Sequence, residues 1–125
     1  MNKTYFTWQD FDKAVDNLVP LLQNSAIDCV YGIPRGGLIL AVVLSHRLNK
    51  PLLTDFFKTF EKAMAGNKIL IVDDISDTGV TLGRLHSLGS CTATIHYVTS
   101  STYKPHFWVH EKIQGDWIVY PWESE

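Results

Sequence analysis

The alternation of apolar strands with helical segments constrains the fold of this chain more than any other feature. Extended and helical segments alternate, the extended ones at 27–33, 51–57, 68–73 and 92–99 and the helical ones at 38–48, 58–65 and 78–88. The candidate strands are continuous apolar runs, which is typical of a parallel sheet buried on both faces. We therefore predict an α/β fold with a doubly wound, mainly parallel sheet.

Further segments flank this alternation at both ends of the chain. An amphipathic helix is predicted over 10–22, and Pro20 predicts that this helix bends or ends early. Two short extended segments, 106–110 and 117–120, follow the fourth strand. They are expected to cover the carboxyl edge of the sheet, where parallel sheets bind their ligands.

Length and composition set limits on the function. The 125 residues suffice for one domain, expected to consist of a core, 1–104, and a short C-terminal hood, 105–125. Eleven basic against 13 acidic residues give a net charge of -2, so a nucleic-acid surface is not expected. Neither a secretory leader nor an apolar run long enough to cross a membrane is visible. The two separate cysteines, Cys29 and Cys91, fit reduced thiols, and we expect a cytoplasmic location.

The third strand ends in two acids and a small polar loop. The run over 69–81 reads Ile-Leu-Ile-Val-Asp-Asp-Ile-Ser-Asp-Thr-Gly-Val-Thr. A glycine-containing loop that opens a helix offers backbone N–H groups to a phosphate, and Thr78 and Thr81 add hydroxyl donors. Asp73 and Asp74 would repel a phosphate. We therefore expect them to bind another part of the same ligand, either neutral sugar hydroxyls or a metal.

This run resembles the phosphoribosyl-diphosphate (PRPP) binding motif of the type I phosphoribosyltransferases, with a valine where glycine is common. The resemblance implies that Asp73 and Asp74 hold the 2- and 3-hydroxyls of the ribose. It also implies that the loop wraps the 5-phosphate through Asp77, Thr78, Gly79, Val80 and Thr81. Taken alone, Asp77 is equally well explained as a cap of the following helix.

A glycine turn, Pro34-Arg35-Gly36-Gly37, follows the first strand. Its N–H groups could hold an anion, and Arg35 could add charge-assisted hydrogen bonds. Taken alone, a tight turn with Arg35 in solvent explains these residues better. Next to the PRPP motif, however, Pro34, Arg35, Gly36 and Gly37 resemble the family's diphosphate loop, where a cis peptide is common and would fall near Pro34-Arg35.

A third candidate site combines Lys104 with the aromatic residues of the hood. A ring can stack on a flat base and an ammonium can donate to its carbonyl oxygen. On spacing alone, however, a hydrophobic cap with a surface lysine explains these residues better. Lys104 and the run Trp-Ile-Val-Tyr-Pro-Trp-Glu resemble the xanthine-guanine branch of the 6-oxopurine phosphoribosyltransferases. By that resemblance Lys104 would contact the purine 6-oxygen and Trp117 would stack on the base. Ile118 and Glu123 would read the group at C2, and Asp77 would lie near N7.

The resemblance implies a purine-salvage enzyme, a glycosyltransferase that moves the 5-phosphoribosyl group from PRPP to guanine, xanthine or hypoxanthine. Asp73, Asp74 and Asp77 would be its catalytic residues. Magnesium would be held mainly by PRPP, with Asp73 as a candidate ligand, and would neutralise the departing diphosphate. Family members usually associate, so a homo-oligomer is expected.

One part of the family pattern is reduced. A long mobile loop usually separates the second and third core strands, whereas only 12 residues, 56–67, lie between Asp55 and Lys68. A PRPP or nucleotide sensor without turnover is therefore the alternative to the enzyme. A receiver-like signalling domain is disfavoured, because its acidic pair would end the first strand and not the third.

Overall fold

The computed structural model describes residues 2–124. The helices are α1 Trp8–Gln23, α2 Gly36–Leu48, α3 Phe56–Met64 and α4 Val80–Leu85, the last followed by a 3-10 turn at His86–Leu88. The strands are β1 Lys3–Tyr5, β2 Cys29–Gly32, β3 Leu52–Leu53, β4 Ile69–Val72, β5 Ile75–Ser76, β6 Cys91–Val98, β7 Phe107–Lys112 and β8 Trp117–Val119.

The main sheet is parallel throughout its described pairings. Its order is β3-β2-β4-β6-β5, and β7 pairs with β6. A separate two-stranded sheet joins β1 to β8, also in parallel, and so ties the start of the chain to its hood. The strand β7, which we predicted within the hood, extends the main sheet.

The core lies on both faces of this sheet, which confirms the predicted doubly wound α/β fold. On one face α1 and α2 bury an apolar stripe against the central strands, including Leu18, Leu22, Leu40, Leu44, Leu70 and Val72. On the other face the smaller cluster contains Tyr31, Ile69, Ile71 and Leu82. Adjacent residues of β4 thus point to opposite faces, as expected for a strand that is buried on both sides.

Three predicted boundaries are wrong. The strand expected over 51–57 is only Leu52–Leu53, because the Asp55 side chain accepts from the Phe57 N–H at 2.8 Å and begins α3. The first helix continues through Pro20 to Gln23, since Leu22 beyond the proline is buried in the core. The helix expected over 78–88 is α-helical only to Leu85.

Candidate active site

The acid pair at the end of β4 is fixed by backbone hydrogen bonds to β6. The Asp73 N–H donates to the Ala93 carbonyl at 3.2 Å. The Asp74 carbonyl accepts from the N–H groups of Ile95 at 3.0 Å and of His96 at 3.1 Å. These bonds place both carboxyls at the carboxyl edge of the sheet, where the sequence predicts a ligand site.

Because Asp73 and Asp74 are largely buried and adjacent, ionising both carboxyls is unfavourable. Burial, and next the charge of Asp74, raise the pKa of Asp73 to about 8, and burial also raises the pKa of Asp74. The Oδ1 of Asp73 accepts from the Asp74 N–H at 2.8 Å. A ligand that brings hydroxyl donors or cationic charge to this pair therefore stabilises its ionised form.

The raised pKa of Asp73 predicts how stability depends on pH. The folded chain keeps a proton that the unfolded chain, in which the carboxyl has its ordinary pKa of 3.8, has already released, so the free energy of unfolding falls as pH rises from 3.8 to about 8. Asp73→Asn keeps an acceptor for the Asp74 N–H and removes the buried charge. We expect it to stabilise the protein by about 2 kcal/mol at pH 8 and much less at pH 4. Urea unfolding at both pH values tests this, and equal effects at the two would contradict it.

A small cavity of about 90 Å³ lies beside the acid pair. It is lined by Asp73, Ile75, Ser76, Asp77, Thr78, Gly79, Thr81 and Leu82. Gly79 adopts a φ of 87°, and a Cβ there would collide with the backbone N of Tyr103, so a side chain is excluded twice over. The Thr102 N–H and hydroxyl both donate to the Thr78 carbonyl at 2.9 Å and hold the loop in place. Val80, which the resemblance groups with these residues, does not line this cavity, and its side chain is half-exposed.

The glycine turn after β2 packs directly on the acid pair. A Cβ on Gly36 would collide with the Asp74 carboxylate, and one on Gly37 would collide with the Val72 carbonyl. The Pro34–Arg35 peptide is cis, at the position that the resemblance indicated. The Gly37 N–H already donates to the Ile33 carbonyl at 2.8 Å, so Gly37 contributes close approach and not a free donor.

A second cavity, of about 590 Å³, opens between this turn and the hood. It is lined by Arg35, Gly36, Leu38, Ile39, Asp74, Trp122, Glu123 and Ser124. Arg35 is exposed at its rim. The cavity combines the Arg35 guanidinium with the carboxylates of Asp74 and Glu123. The guanidinium can bind an anionic group, and the carboxylates can accept from hydroxyl groups of the same ligand.

A third cavity, of about 530 Å³, lies under the hood. It is lined by Asp74, Ile75, Asp77, Thr78, Lys112, Gln114, Gly115, Asp116, Trp117, Ile118, Tyr120 and Glu123. Asp74 and Glu123 also line the second cavity, and Asp77 and Thr78 also line the small one. The three cavities therefore meet around the acid pair. The structure brings the predicted ribose, phosphate and diphosphate residues together with Trp117, Ile118 and Glu123.

Comparison with known proteins decides the family. No family profile matches the chain. The chain is 30% identical over 119 residues to the xanthine-guanine phosphoribosyltransferase of Cereibacter sphaeroides, which covers 80% of this chain and 71% of that protein. The chain belongs to the type I phosphoribosyltransferases. The crystal structure of a purine phosphoribosyltransferase from Pyrococcus horikoshii matches this phosphoribosyltransferase with a TM-score of 0.82 and 29% identity, over 100% of this chain and 97% of that one.

A relative with another substrate also matches. The orotate phosphoribosyltransferase of Sulfurisphaera tokodaii is 32% identical over 87 residues, 62% of this chain. This phosphoribosyltransferase spans only 44% of that relative's length. The relatives of this chain therefore include enzymes named for different bases, orotate and the purines xanthine and guanine.

Lys104 lies apart from the three cavities of this phosphoribosyltransferase. Its Nζ lies 4.8 Å from the centroid of the Trp108 ring, and the side chain is exposed. The lysine that lines the third cavity is Lys112, at the end of β7. Lys112 is not among the residues predicted from the sequence, because its place in this cavity depends on the pairing of β7 with β6.

The mobile loop of the family is replaced here by α3. Thr59 is its one fully buried residue, and it exposes four large apolar side chains, including 75% of Phe57 and 66% of Met64. No helix in the described part of the chain is long and apolar enough to cross a membrane.

Residues 2–124 contain no group of three or more His, Cys, Asp or Glu side chains that could hold a metal by themselves. Magnesium needs few protein ligands when a bound phosphate supplies the others. The carboxylates of Asp73 and Asp74 are the oxygen donors that it prefers, and they lie beside the cavity lined by Arg35. The donor set therefore fits a magnesium ion that arrives with its ligand.

Proposed function

We propose that this phosphoribosyltransferase transfers the 5-phosphoribosyl group of PRPP to a 6-oxopurine base and releases diphosphate. One observation carries the proposal: three cavities of different chemistry meet at Asp73 and Asp74. PRPP has three parts, a 5-phosphate, a ribose and a diphosphate, and the incoming base is a fourth group that must reach C1. The purine enzyme of Pyrococcus horikoshii, which aligns along the whole chain, supports a purine as that base.

Each part of PRPP has a place. The 5-phosphate binds in the small cavity against Thr78, Gly79 and Thr81, while the ribose hydroxyls donate to the acid pair. The diphosphate enters the second cavity beside Arg35. Gly36 and Gly37 let this turn approach the acid pair closely, so that the diphosphate and the ribose of one PRPP molecule can bind at the same time.

The base enters the third cavity under the hood. Trp117 stacks on it, and the main chain of Ile118 with Glu123 reads the group at C2. We assign the contact with the 6-oxygen to Lys112, which lines this cavity, and not to Lys104, which lies on Trp108. A lysine donates and cannot accept, so it favours a carbonyl at C6 over the amino group of adenine.

The chemistry needs positioning and charge more than a nucleophile from the protein. N9 of the base forms a bond to C1 of the ribose while the bond from C1 to the diphosphate oxygen breaks, through a state with positive charge on the ribose. The carboxylates of Asp73 and Asp74 lie where that charge develops and stabilise it. Asp77 accepts the proton that the purine loses. Asp73 and Asp74 would be the protein ligands of a magnesium ion bound with PRPP, which would supply positive charge against the departing diphosphate.

The test is a substrate panel. The protein is incubated with magnesium, PRPP and guanine, xanthine or hypoxanthine, with adenine and orotate as matched alternatives, and nucleotide formation is followed. We expect turnover with 6-oxopurines at least about tenfold more efficient than with adenine or orotate. Preference for orotate or adenine contradicts the assignment of the base. Tight PRPP or nucleotide binding without turnover supports the sensor instead.

A homo-oligomer stays a prediction. The exposed apolar side chains of α3, above all Phe57 and Met64, support it, because an apolar stripe on a helix gains from being covered. A neighbouring subunit would also cover the region where the family's mobile loop is replaced by this helix.

A further inference from the structure

A buried chain of hydrogen bonds joins the hood to the acid pair through Tyr120. The Tyr120 hydroxyl lies 2.8 Å from Nδ1 of His96 and 3.3 Å from the carbonyl oxygen of Asp74. Only 3% of Tyr120 and 5% of His96 is exposed. Since water has almost no access to either side chain, losing one of these hydrogen bonds would leave a polar atom without a substitute partner.

The direction of the chain follows from the donors available. A tyrosine hydroxyl has one proton and a carbonyl can only accept, so both contacts are satisfied when His96 Nδ1–H donates to Tyr120 and Tyr120 donates to Asp74. Burial, with the charges of His110 and Lys112, lowers the pKa of His96 to about 4, so the ring is neutral at pH 7. Burial raises the pKa of Tyr120, which keeps its hydroxyl a donor.

The third hydrogen bond completes the fixation of the Asp74 peptide. Its carbonyl already accepts from the N–H groups of Ile95 and His96 on β6, and Tyr120 adds a donor from the hood. The ring of Tyr120 is itself held, because it stacks on Trp122 with centroids 4.9 Å apart and an interplanar angle of 6°. A satisfied buried network of this kind fixes one geometry of the groups it joins.

We propose that Tyr120 and His96 are positioning residues for Asp74. They hold the Asp74 main chain, and thereby its carboxylate, in the orientation that receives the ribose of PRPP. This inference deepens the proposed function and rests on it for the identity of the ligand. In this arrangement the hood binds the base and, through Tyr120, also fixes the Asp74 main chain at the PRPP site. Tyr120 also lines the third cavity, but its hydroxyl bonds Asp74 and His96 while Trp117 stacks on the base. Removing the hydroxyl alone should therefore affect PRPP more than the base.

The kinetic test uses four variants. Tyr120→Phe removes the hydroxyl and keeps the ring, and His96→Leu removes the donor behind it. His96→Asn restores a donor near the position of Nδ1. Tyr97→Phe is the matched control, since it removes a hydroxyl from the adjacent residue of β6, whose ring packs on Trp108.

We expect Tyr120→Phe and His96→Leu to raise KM for PRPP by about fivefold to tenfold, the equivalent of one buried hydrogen bond, with KM for the base changed less than twofold. His96→Asn should lie within twofold of wild type, as should Tyr97→Phe. The double variant Tyr120→Phe/His96→Leu should raise KM for PRPP no more than either single variant, because both substitutions interrupt the same series of hydrogen bonds. An unchanged KM for PRPP, equal losses for both substrates, or additive losses overturn the inference.

Hydrogen exchange tests the positioning role of Tyr120 without any substrate. In Tyr120→Phe the amides of Ile95 and His96, whose acceptor is the Asp74 carbonyl, should exchange about fivefold faster than in wild type. The amide of Ile71, inside β4, serves as the internal reference. If wild type binds no PRPP, the proposed function fails while this exchange still tests the positioning. Unchanged exchange at both amides overturns it whatever the activity.

Discussion

Replacing Asp73 and Asp74 together by asparagine is expected to lower kcat/KM for nucleotide formation by about a thousandfold. Two charge-assisted hydrogen bonds from the ribose hydroxyls are lost, each worth about 1.5–3 kcal/mol. The positive charge that develops on the ribose also loses its two nearest carboxylates. In the wild type the Asp74 N–H donates to Asp73 Oδ1 at 2.8 Å. Asparagine keeps the side-chain shape and an oxygen that can accept this hydrogen bond, so the loop geometry should be preserved.

The measurement is steady-state transfer from PRPP to guanine, with PRPP binding followed by calorimetry. The matched control is Asp12→Asn/Asp16→Asn, which makes the same two carboxyl-to-amide changes on the exposed face of α1. The control should retain wild-type activity. A site variant that keeps more than about a tenth of wild-type activity would show that the acid pair does not carry the chemistry.

Stability should move in the opposite direction to activity in the acid-pair variants. Burial raises the pKa values of both carboxyls, so the folded chain bears a cost for placing them at the end of β4. Binding sites commonly retain groups that reduce stability because the ligand requires them. We therefore expect the double variant to have a larger free energy of unfolding than wild type at pH 8 and to be almost inactive.

The parts of the site that lie in one continuous run could be predicted from the sequence. The strand β4, the acid pair and the loop after it are consecutive, and a buried apolar run followed by small polar residues allows few other arrangements. The glycine turn differs, because its residues alone favour an ordinary tight turn and only their resemblance to the family's diphosphate loop predicts a binding role. Its close contact with Asp74 adds a reason for glycine at position 36 that a single segment cannot reveal.

The third cavity could not be predicted in this way, because it depends on the register between distant strands. Lys112 reaches it since β7 runs parallel to β6 with Val98 opposite Lys112, and no local pattern fixes that pairing. Lys104 was indicated only by its resemblance to the family's base-contacting lysine, and in the structure its ammonium lies on the Trp108 ring. The contact of Tyr120 with Asp74 spans 46 positions, and no local pattern could have predicted it either.

The second large effect on kcat/KM is expected at one of two lysines, Lys112 or Lys104. Lys112→Met removes the ammonium and keeps the length of the side chain, and Lys104→Met is the same change at an exposed position. We expect Lys112→Met to lower kcat/KM for guanine by about tenfold to a hundredfold, the value of one charge-assisted hydrogen bond. KM for PRPP should stay within twofold of wild type in both variants, and Lys104→Met should transfer to guanine normally.

The same pair of variants also tests why a 6-oxopurine is preferred. The ammonium of Lys112 donates to a carbonyl and meets the amino group of adenine with donor against donor, so it should disfavour adenine. Lys112→Met should therefore reduce the ratio of guanine to adenine transfer mainly by losing guanine. If Lys104→Met reduces that ratio and Lys112→Met does not, the base contact belongs to Lys104, and the segment after β6 must move when the base binds.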